Sequence, residues 1–416
     1  MAETNVLDAL FKKVYGDGTI KAVPDFAKLM KMVPFRPKEK LGDEYIIPVI
    51  LQYEHGFSYG EAGDSDFALN PAVAGKVLQA KVKGFMIVLR SKLSYEDVHK
   101  AAAAGEAAFE SATSLVVENM QRSFSKRQEL SFWYGQQSLA CLSSVSGSST
   151  TRAWIITDAT WAPGIWSGMK DCPLDVYSAV SATATQRNVS DVVTITSVDI
   201  ANKTLNVSGD ASDLTSCAAA DFLYFYGART ATAHKECAGI DKILSNTGTL
   251  FNIDAGTYEL WKATTRTISG QISFLGILNG IGDAVNMGLD EQATLFLPTK
   301  RWNQVMSDQA ALRRHNAQMT KAENGFEAVT FYSTNGKTDI VNHPFLKEAR
   351  GYLIPNPEKR LVRVGATDIT FKRPGLEHNI FRELSDNAGF ELRAFSDQAI
   401  ALQIPGQATL YESITD

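Results

Sequence analysis

Read for its apolar and polar positions, the chain falls into stretches of different period. "YIIPVILQY" (Tyr45 to Tyr53) is β-branched and apolar, broken only by Pro48. In "VLQAKVKGFMIVL" (Val77 to Leu89), Leu78, Ala80 and Val82 alternate with Gln79, Lys81 and Lys83, the period of two that marks a half-buried strand. Pro48 suits an edge strand or a strand end, because it cannot donate to a ladder. The 23 residues between the two runs carry Gly56, Gly60, Gly63 and Gly75, and the acids Glu54, Glu61, Asp64 and Asp66. A connection of that length signals function or disorder. The expected object is a protruding two-stranded hairpin with a flexible acidic tip.

The period then changes to that of a helix. From Ser94 to Gly135 no proline occurs, and Tyr95, Val98, Ala102, Gly105, Phe109, Ala112, Val116, Met120 and Phe124 recur at steps of three and four. Ser94 is a suitable N-cap, with Asp97 three residues on. A helix of about 40 residues spans roughly 60 Å. One narrow apolar stripe predicts that it lies across the outside of a sheet. Gly105 reads as a close-packing point there.

After Leu130 no glutamate appears until Glu236, and Ser, Thr, Val and Asp dominate. "DVVTITSVDIANKTLNVSGD" (191 to 210) reads as two strands turning near Asn202, and "DFLYFYG" (221 to 227) as another. From Gly239 helices return, at Ile272 to Met287 and Thr299 to Leu312. Strands are expected at "ATLFLP", "AVTFYS", "TDIVNHPF" and "GYLIP". The last stretch, "DITFKR", "GFELRAFS" and "AIALQIP", needs a sheet to complete. The class is α+β. Residues 1 to 43, with eight Lys or Arg among sparse apolar clusters, read as an extended arm.

Composition narrows the function by exclusion. A formal charge of −5 gives no overall reason for tight nucleic-acid binding. The start "MAETNVLDALFKK" has no basic, then apolar, export pattern, and no window approaches a membrane span. Cys141, Cys172, Cys217 and Cys237 are 31, 45 and 20 positions apart, spacings that fit neither zinc nor a redox pair. Reduced, mostly buried thiols are expected, in a reducing cytosol.

Catalytic and cofactor motifs fail one by one. Gly336-Lys337-Thr338 copies the end of a phosphate loop, but Phe331 stands where its first glycine belongs. Gly280 and Gly282 lack the third glycine of a dinucleotide fingerprint, since Val285 occupies its place. No G-x-S-x-G occurs, and the six histidines are scattered. His234 and Cys237 are the closest pairing of possible ligands, and coincidence explains them better than a metal. No catalytic, cofactor or metal residue is assigned.

The order of arm, protruding hairpin, long helix and mixed domain with a returning sheet resembles the major capsid proteins of tailed bacteriophages, the Hong Kong 97-type fold. "AGIDKILSNTGTLFNIDAGTYELWKA" (238 to 263), "LFLPTKRWNQV", "DIVNHPFLKEARGYLIP" and "VGATDITFKR" look like segments of one branch of that family. The resemblance implies an N-terminal arm at 1–43 and an extended loop at 44–92. It implies a peripheral domain at 93–238, with a spine helix at 94–134 and a β-rich segment or insertion at about 140–238. An axial domain at 239–361 and returning peripheral strands at 362–416 complete it.

It further implies a non-enzymatic subunit, without cofactor, that assembles with itself into the hexamers and pentamers of an icosahedral virion shell. The partners implied are a scaffolding protein, a portal, a decoration protein, and packaged double-stranded DNA held by weak non-specific contact; no membrane is involved. Assembly is expected in the host bacterial cytoplasm. Because the arm begins within a few residues of Met1, the scaffold is expected to be a separate protein. The tip acids Glu54, Glu61, Asp64 and Asp66 are expected to meet basic residues of a neighbouring subunit, with Lys12, Lys13 and Arg36 as candidates. A nanocompartment shell of the same fold, a glycan-binding β protein and an unrecognised enzyme are the alternatives.

Overall fold

The computed structural model describes residues 27–36, 44–63, 66–94, 106–148, 150–181, 183–308, 320–321, 327–333, 336–372, 381–384 and 389–416. The side chains of 94, 106–115, 320–332 and 381 lie outside that description.

A short helix, Lys28–Met32, precedes β1 (Glu44–Gln52) and β2 (Lys76–Lys83), which pair antiparallel from Glu44 opposite Lys83 to Gln52 opposite Lys76. The alternation has the expected consequence. Tyr45, Ile47, Leu51, Ala80 and Val82 are buried, and Pro48, Ile50, Gln79, Lys81 and Lys83 face solvent. β1 bonds to β2 on one side only, so Pro48 removes no ladder bond from its open edge.

The run Val77 to Leu89 is not one strand. It divides at Gly84, and β3 (Phe85–Ser94) leaves the hairpin to pair with β20 (Gly389–Leu402), from Gly389 opposite Ser94 to Gln398 opposite Phe85. A Cβ at Gly84 would stand 2.1 Å from Oδ1 of Asp397, so a side chain at the crossing point would displace that carboxylate. Ser94 is the last residue of β3, and the residues it was expected to cap, from Tyr95 to Gly105, lie outside the described residues. Asp97 and Gly105 lie outside the described residues.

The long helix is described from Glu106 to Tyr134. Its Met120 and Phe124 pack on Leu93, Leu392 and Ala394, with Val116 and Val117 beside them, as the stripe predicts. The end of the helix departs from the expected surface position. From Gln128 to Tyr134 every residue is buried, and Trp133 contacts Phe296, His343 and Tyr352. From Val116 to Phe124 the helix packs on a sheet, and it finishes inside the core.

The β-rich stretch closes on itself. β4 (Ala140–Gly147), β5 (Thr151–Ile156), β6 (Pro173–Tyr177), β7 (Val193–Asp199), β8 (Thr204–Ser208) and β9 (Phe222–Phe225) form a barrel in the order β4-β5-β8-β7-β6-β9. Trp154, Leu174, Val176, Ile195, Leu205, Val207 and Leu223 are buried, and closure leaves no edge to protect.

Two sheets remain. β20 is flanked by β3 and by β18 (Leu361–Thr370) with β19 (Phe381–Glu383). The larger sheet contains β12 (Thr264–Gly270), β13 (Ala293–Leu297), β14 (Thr320–Lys321), β15 (Glu327–Ser333), β16 (Gly336–Asn342), β17 (Gly351–Pro355) and β21 (Thr409–Ile414). Its order is β12-β21-β17-β13-β16-β15-β14. β13 and β17 are buried at every position, which is why they read as unbroken apolar runs. Helices Phe274–Asn286 and Thr299–Ser307 accompany this sheet. The second of them was expected to reach Leu312, and residues 309–319 lie outside the description.

Candidate assembly surface

Beyond β1 and β2 the chain from Tyr53 to Gly75 has no regular secondary structure in its described residues, and nearly all of it is exposed. Local contacts shape it. The His55 amide donates to the Val73 carbonyl at 2.9 Å, and the Asn70 side chain donates to the Phe57 carbonyl at 2.8 Å. Gly60 lies against the Phe67 ring, where a Cβ would stand 2.8 Å from the ring edge.

Glu54, Glu61 and Asp66 are exposed on this tip. Arg36 is half-buried beside β18, where its amide donates to the Arg363 carbonyl at 2.9 Å. Asp64, Lys12 and Lys13 lie outside the described residues.

Counting acids and glycines missed the apolar side of the tip. Tyr59 is 90% exposed, Leu69 80%, Tyr53 78% and Phe57 69%, and on the hairpin itself the directly opposed Ile50 and Val77 are 71% and 58% exposed. The signal was present in "GFSYGEAGDSDFALNPAV", where an aromatic or aliphatic residue recurs among the glycines and acids. A group of exposed apolar side chains at the end of one hairpin marks an interaction surface.

In the core, three segments distant in sequence meet on one buried carboxylate. Glu129, in the last turns of the long helix, accepts from the amides of Leu29 (2.7 Å) and Met30 (2.9 Å) and lies 3.0 Å from His343 Nε2. Lys28 Nζ donates to the Asn342 carbonyl at 2.9 Å, and Arg363 Nη1 to the Met30 carbonyl at 3.1 Å. The two amides belong to the first turn of the Lys28–Met32 helix, where no intrahelical acceptor exists. Glu129 supplies it. Burial pulls His343 below its ordinary value, against the opposing influence of Glu129.

A second buried network lies beside it. The Tyr134 hydroxyl donates to the Phe345 carbonyl (3.0 Å) and accepts from the Lys347 amide (2.9 Å). Lys347 Nζ donates to the Ser138 carbonyl at 2.7 Å and lies 4.2 Å from the centre of the Tyr134 ring. Burial lowers the Lys347 ammonium to about 8, with Asp241 opposing. Asp241 in turn accepts from Arg350 and from the Tyr352 hydroxyl (2.9 Å). These groups face one another inside the core, so they fix the helix end against the larger sheet.

Cys172, Cys217 and Cys237 are buried free thiols, and Cys141 is half-buried. Burial pushes both Cys217 and Cys237 up to about 12, away from thiolate chemistry. Among the described residues no three His, Cys, Asp or Glu side chains converge as metal ligands. Nor is any described helix long and apolar enough to cross a membrane.

No family model and no curated protein matches the sequence. Solved structures do match. The capsid asymmetric unit of cyanophage A-1(L) aligns over 97% of this chain and 96% of its own, with a TM-score of 0.51 at 10% identity. A chain from Mycobacterium phage Bobi aligns over 99% and 98% (TM-score 0.47, 10% identity). A chain of the SrpI encapsulin complex of Synechococcus elongatus PCC 7942 aligns over 100% and 96% (TM-score 0.45, 6% identity). The cyanophage alignment runs over nearly the whole of both chains, and this chain has the mixed helix-and-sheet fold of that capsid chain.

Proposed function

We propose that this chain is the major capsid protein of a tailed phage, a structural subunit that assembles with itself into the icosahedral shell around a double-stranded DNA genome. The observation that carries the reading is end-to-end likeness to the cyanophage A-1(L) capsid chain. The exposed apolar hairpin supports it, because a lone subunit leaves Tyr59, Leu69 and Phe57 in water. In this reading residues 1–43 are the arm and 44–92 the extended loop. Residues 93–238 are the peripheral domain, carrying a spine helix and the barrel. Residues 239–361 are the axial domain, and 362–416 return to the peripheral sheet.

The tip of one subunit rests on its neighbour, placing Glu54, Glu61, Asp64 and Asp66 near basic residues of the Lys12, Lys13 and Arg36 arm while its aromatic residues lose their exposure to water. Heterologous contacts of this kind close into rings, and rings into a shell. A separate scaffolding protein, a portal and a decoration protein are its partners. DNA is held weakly, consistent with the net charge of −5. The subunit carries no turnover chemistry and acts in the virion after assembly in the host cytoplasm.

Co-expression with the scaffold, followed by light scattering and electron microscopy, tests the proposal. Closed particles that fill with DNA and acquire tails are expected. A protein-filled compartment identifies the nanocompartment alternative, and a product that stays monomeric under every assembly condition overturns the reading.

A further inference from the structure

The four-stranded and seven-stranded sheets are completed by residues 389–416. β20 is the strand to which β3, β18 and β19 all pair, and β21 lies inside the larger sheet, parallel to β12 and antiparallel to β17. Among the described residues β21 is the sole strand partner of β12. The final residues are tied down on every side. The Tyr411 hydroxyl donates to the Ile277 carbonyl at 2.9 Å, and Thr409 Oγ1 to the Gly280 carbonyl at 2.9 Å. The Ile414 amide reaches the Ala349 carbonyl, and the Thr415 amide the Gly270 carbonyl. Arg301, almost wholly buried, donates to the Thr415 carbonyl (2.9 Å) and to the Asp416 carboxylate (2.8 Å).

The barrel is built differently. All six of its strands lie between Ala140 and Phe225, and every pairing within it is internal to that segment. In the smaller sheet, by contrast, Arg90 meets Glu391 across 301 positions of sequence.

We propose that residues 389–416 are a clasp that orders folding. The barrel forms while the chain is being made, and the four- and seven-stranded sheets close only when residues 389–416 are free to pair. An incomplete chain keeps β12 with unpaired backbone groups and β3 without its neighbour, so it presents no finished subunit. Long loops make such pairings slow and late, since the closure cost precedes the contacts that offset it. That this prevents premature shell growth rests on the capsid reading; the folding order does not.

The test uses the full chain held on stalled ribosomes by Gly-Ser linkers of increasing length after Asp416, with limited proteolysis read by mass spectrometry. A fragment spanning 140–225 should be protected at every linker length. A fragment spanning 264–307 should become protected only once the linker is long enough to carry Asp416 out of the ribosome. Protection of 264–307 while 409–416 are still enclosed overturns the proposal, as does a barrel that stays digestible until release. A second measurement adds a synthetic peptide of residues 408–416 to a chain ending at Gln407. Protection of 264–307 that depends on the peptide supports the clasp, and protection without it refutes it. Failure of these outcomes leaves particle assembly by the released full chain untouched, so the two readings are separable.

Discussion

Glu129 and His343 lie 3.0 Å apart with neither side chain exposed, although 214 positions separate them in the chain. The same carboxylate holds two amides of the Lys28–Met32 helix, so one side chain joins that helix, the long helix and the end of β16. Glu129→Leu removes the acceptor and strands two buried donors. A loss of about 3 kcal/mol or more is expected, at about 1 to 3 kcal/mol for each unsatisfied group. Urea unfolding measures it, and hydrogen exchange at Leu29 and Met30 should accelerate.

The imidazole also predicts a pH response. Because the folded value of His343 is lowered, the unfolded chain takes up the proton first, and stability falls as pH drops below about 6.5. Other groups titrate nearby, so the comparison is with His343→Gln, which keeps a donor for Glu129 and cannot titrate. The difference between the two unfolding curves should shrink toward acid pH; a constant offset from pH 5 to 8 would contradict the assignment.

Lys347 has a separate signature. Its folded value is depressed to about 8 from 10.5, so between those values the unfolded chain holds the extra proton and stability rises with pH. From pH 8 to 10 the contribution is about 2 to 3 kcal/mol, at 1.36 kcal/mol per unit. The buried thiols pull the other way above pH 9, because the unfolded chain ionises them first. Subtracting the curve of Lys347→Met isolates the lysine.

Gly280 faces Tyr411 so closely that a Cβ would stand 2.3 Å from the phenolic oxygen. Alanine there gains helix propensity of up to about 1 kcal/mol. The overlap should outweigh it, leaving Gly280→Ala less stable by about 1 to 3 kcal/mol. Thermal unfolding should show a smaller penalty for the same change in a Tyr411→Leu background, where the ring is gone.

Phe124→Ala should cost about 3 to 5 kcal/mol, since the ring is buried against Leu93 and Leu392. Asn119→Ala, on the exposed side of the same helix, should stay within about 0.5 kcal/mol. Equal melting temperatures for the two variants would place the wrong face on the sheet.

On the hairpin, Tyr59→Ser and Leu69→Ser should leave the melting temperature of the subunit almost unchanged, because both side chains are exposed in it. Assembly monitored by light scattering should weaken in both. Replacing 57–73 by a short Gly-Ser turn should abolish it while the subunit still folds. Loss of assembly with salt alone would assign the contact to the tip acids, since exposed ion pairs are screened within about 8 Å in physiological buffer.

Periodicity by itself determined the hairpin, the helical stripe through Met120 and Phe124, the barrel hairpin of β7 and β8, and the buried strands β13 and β17. Each is a local pattern whose period equals that of its element, so burial follows from spacing. Only tertiary structure decided where Val77 to Leu89 breaks, because that depends on Asp397 approaching Gly84 from more than 300 positions away. It alone turned the helix end inward, since Glu129 becomes acceptable in a core only when His343 and two arm amides surround it. The apolar side of the tip was written in the sequence as well. Aromatic residues in a strand-to-strand connection read as core or as surface alike, and only the folded chain shows Tyr59 and Leu69 exposed.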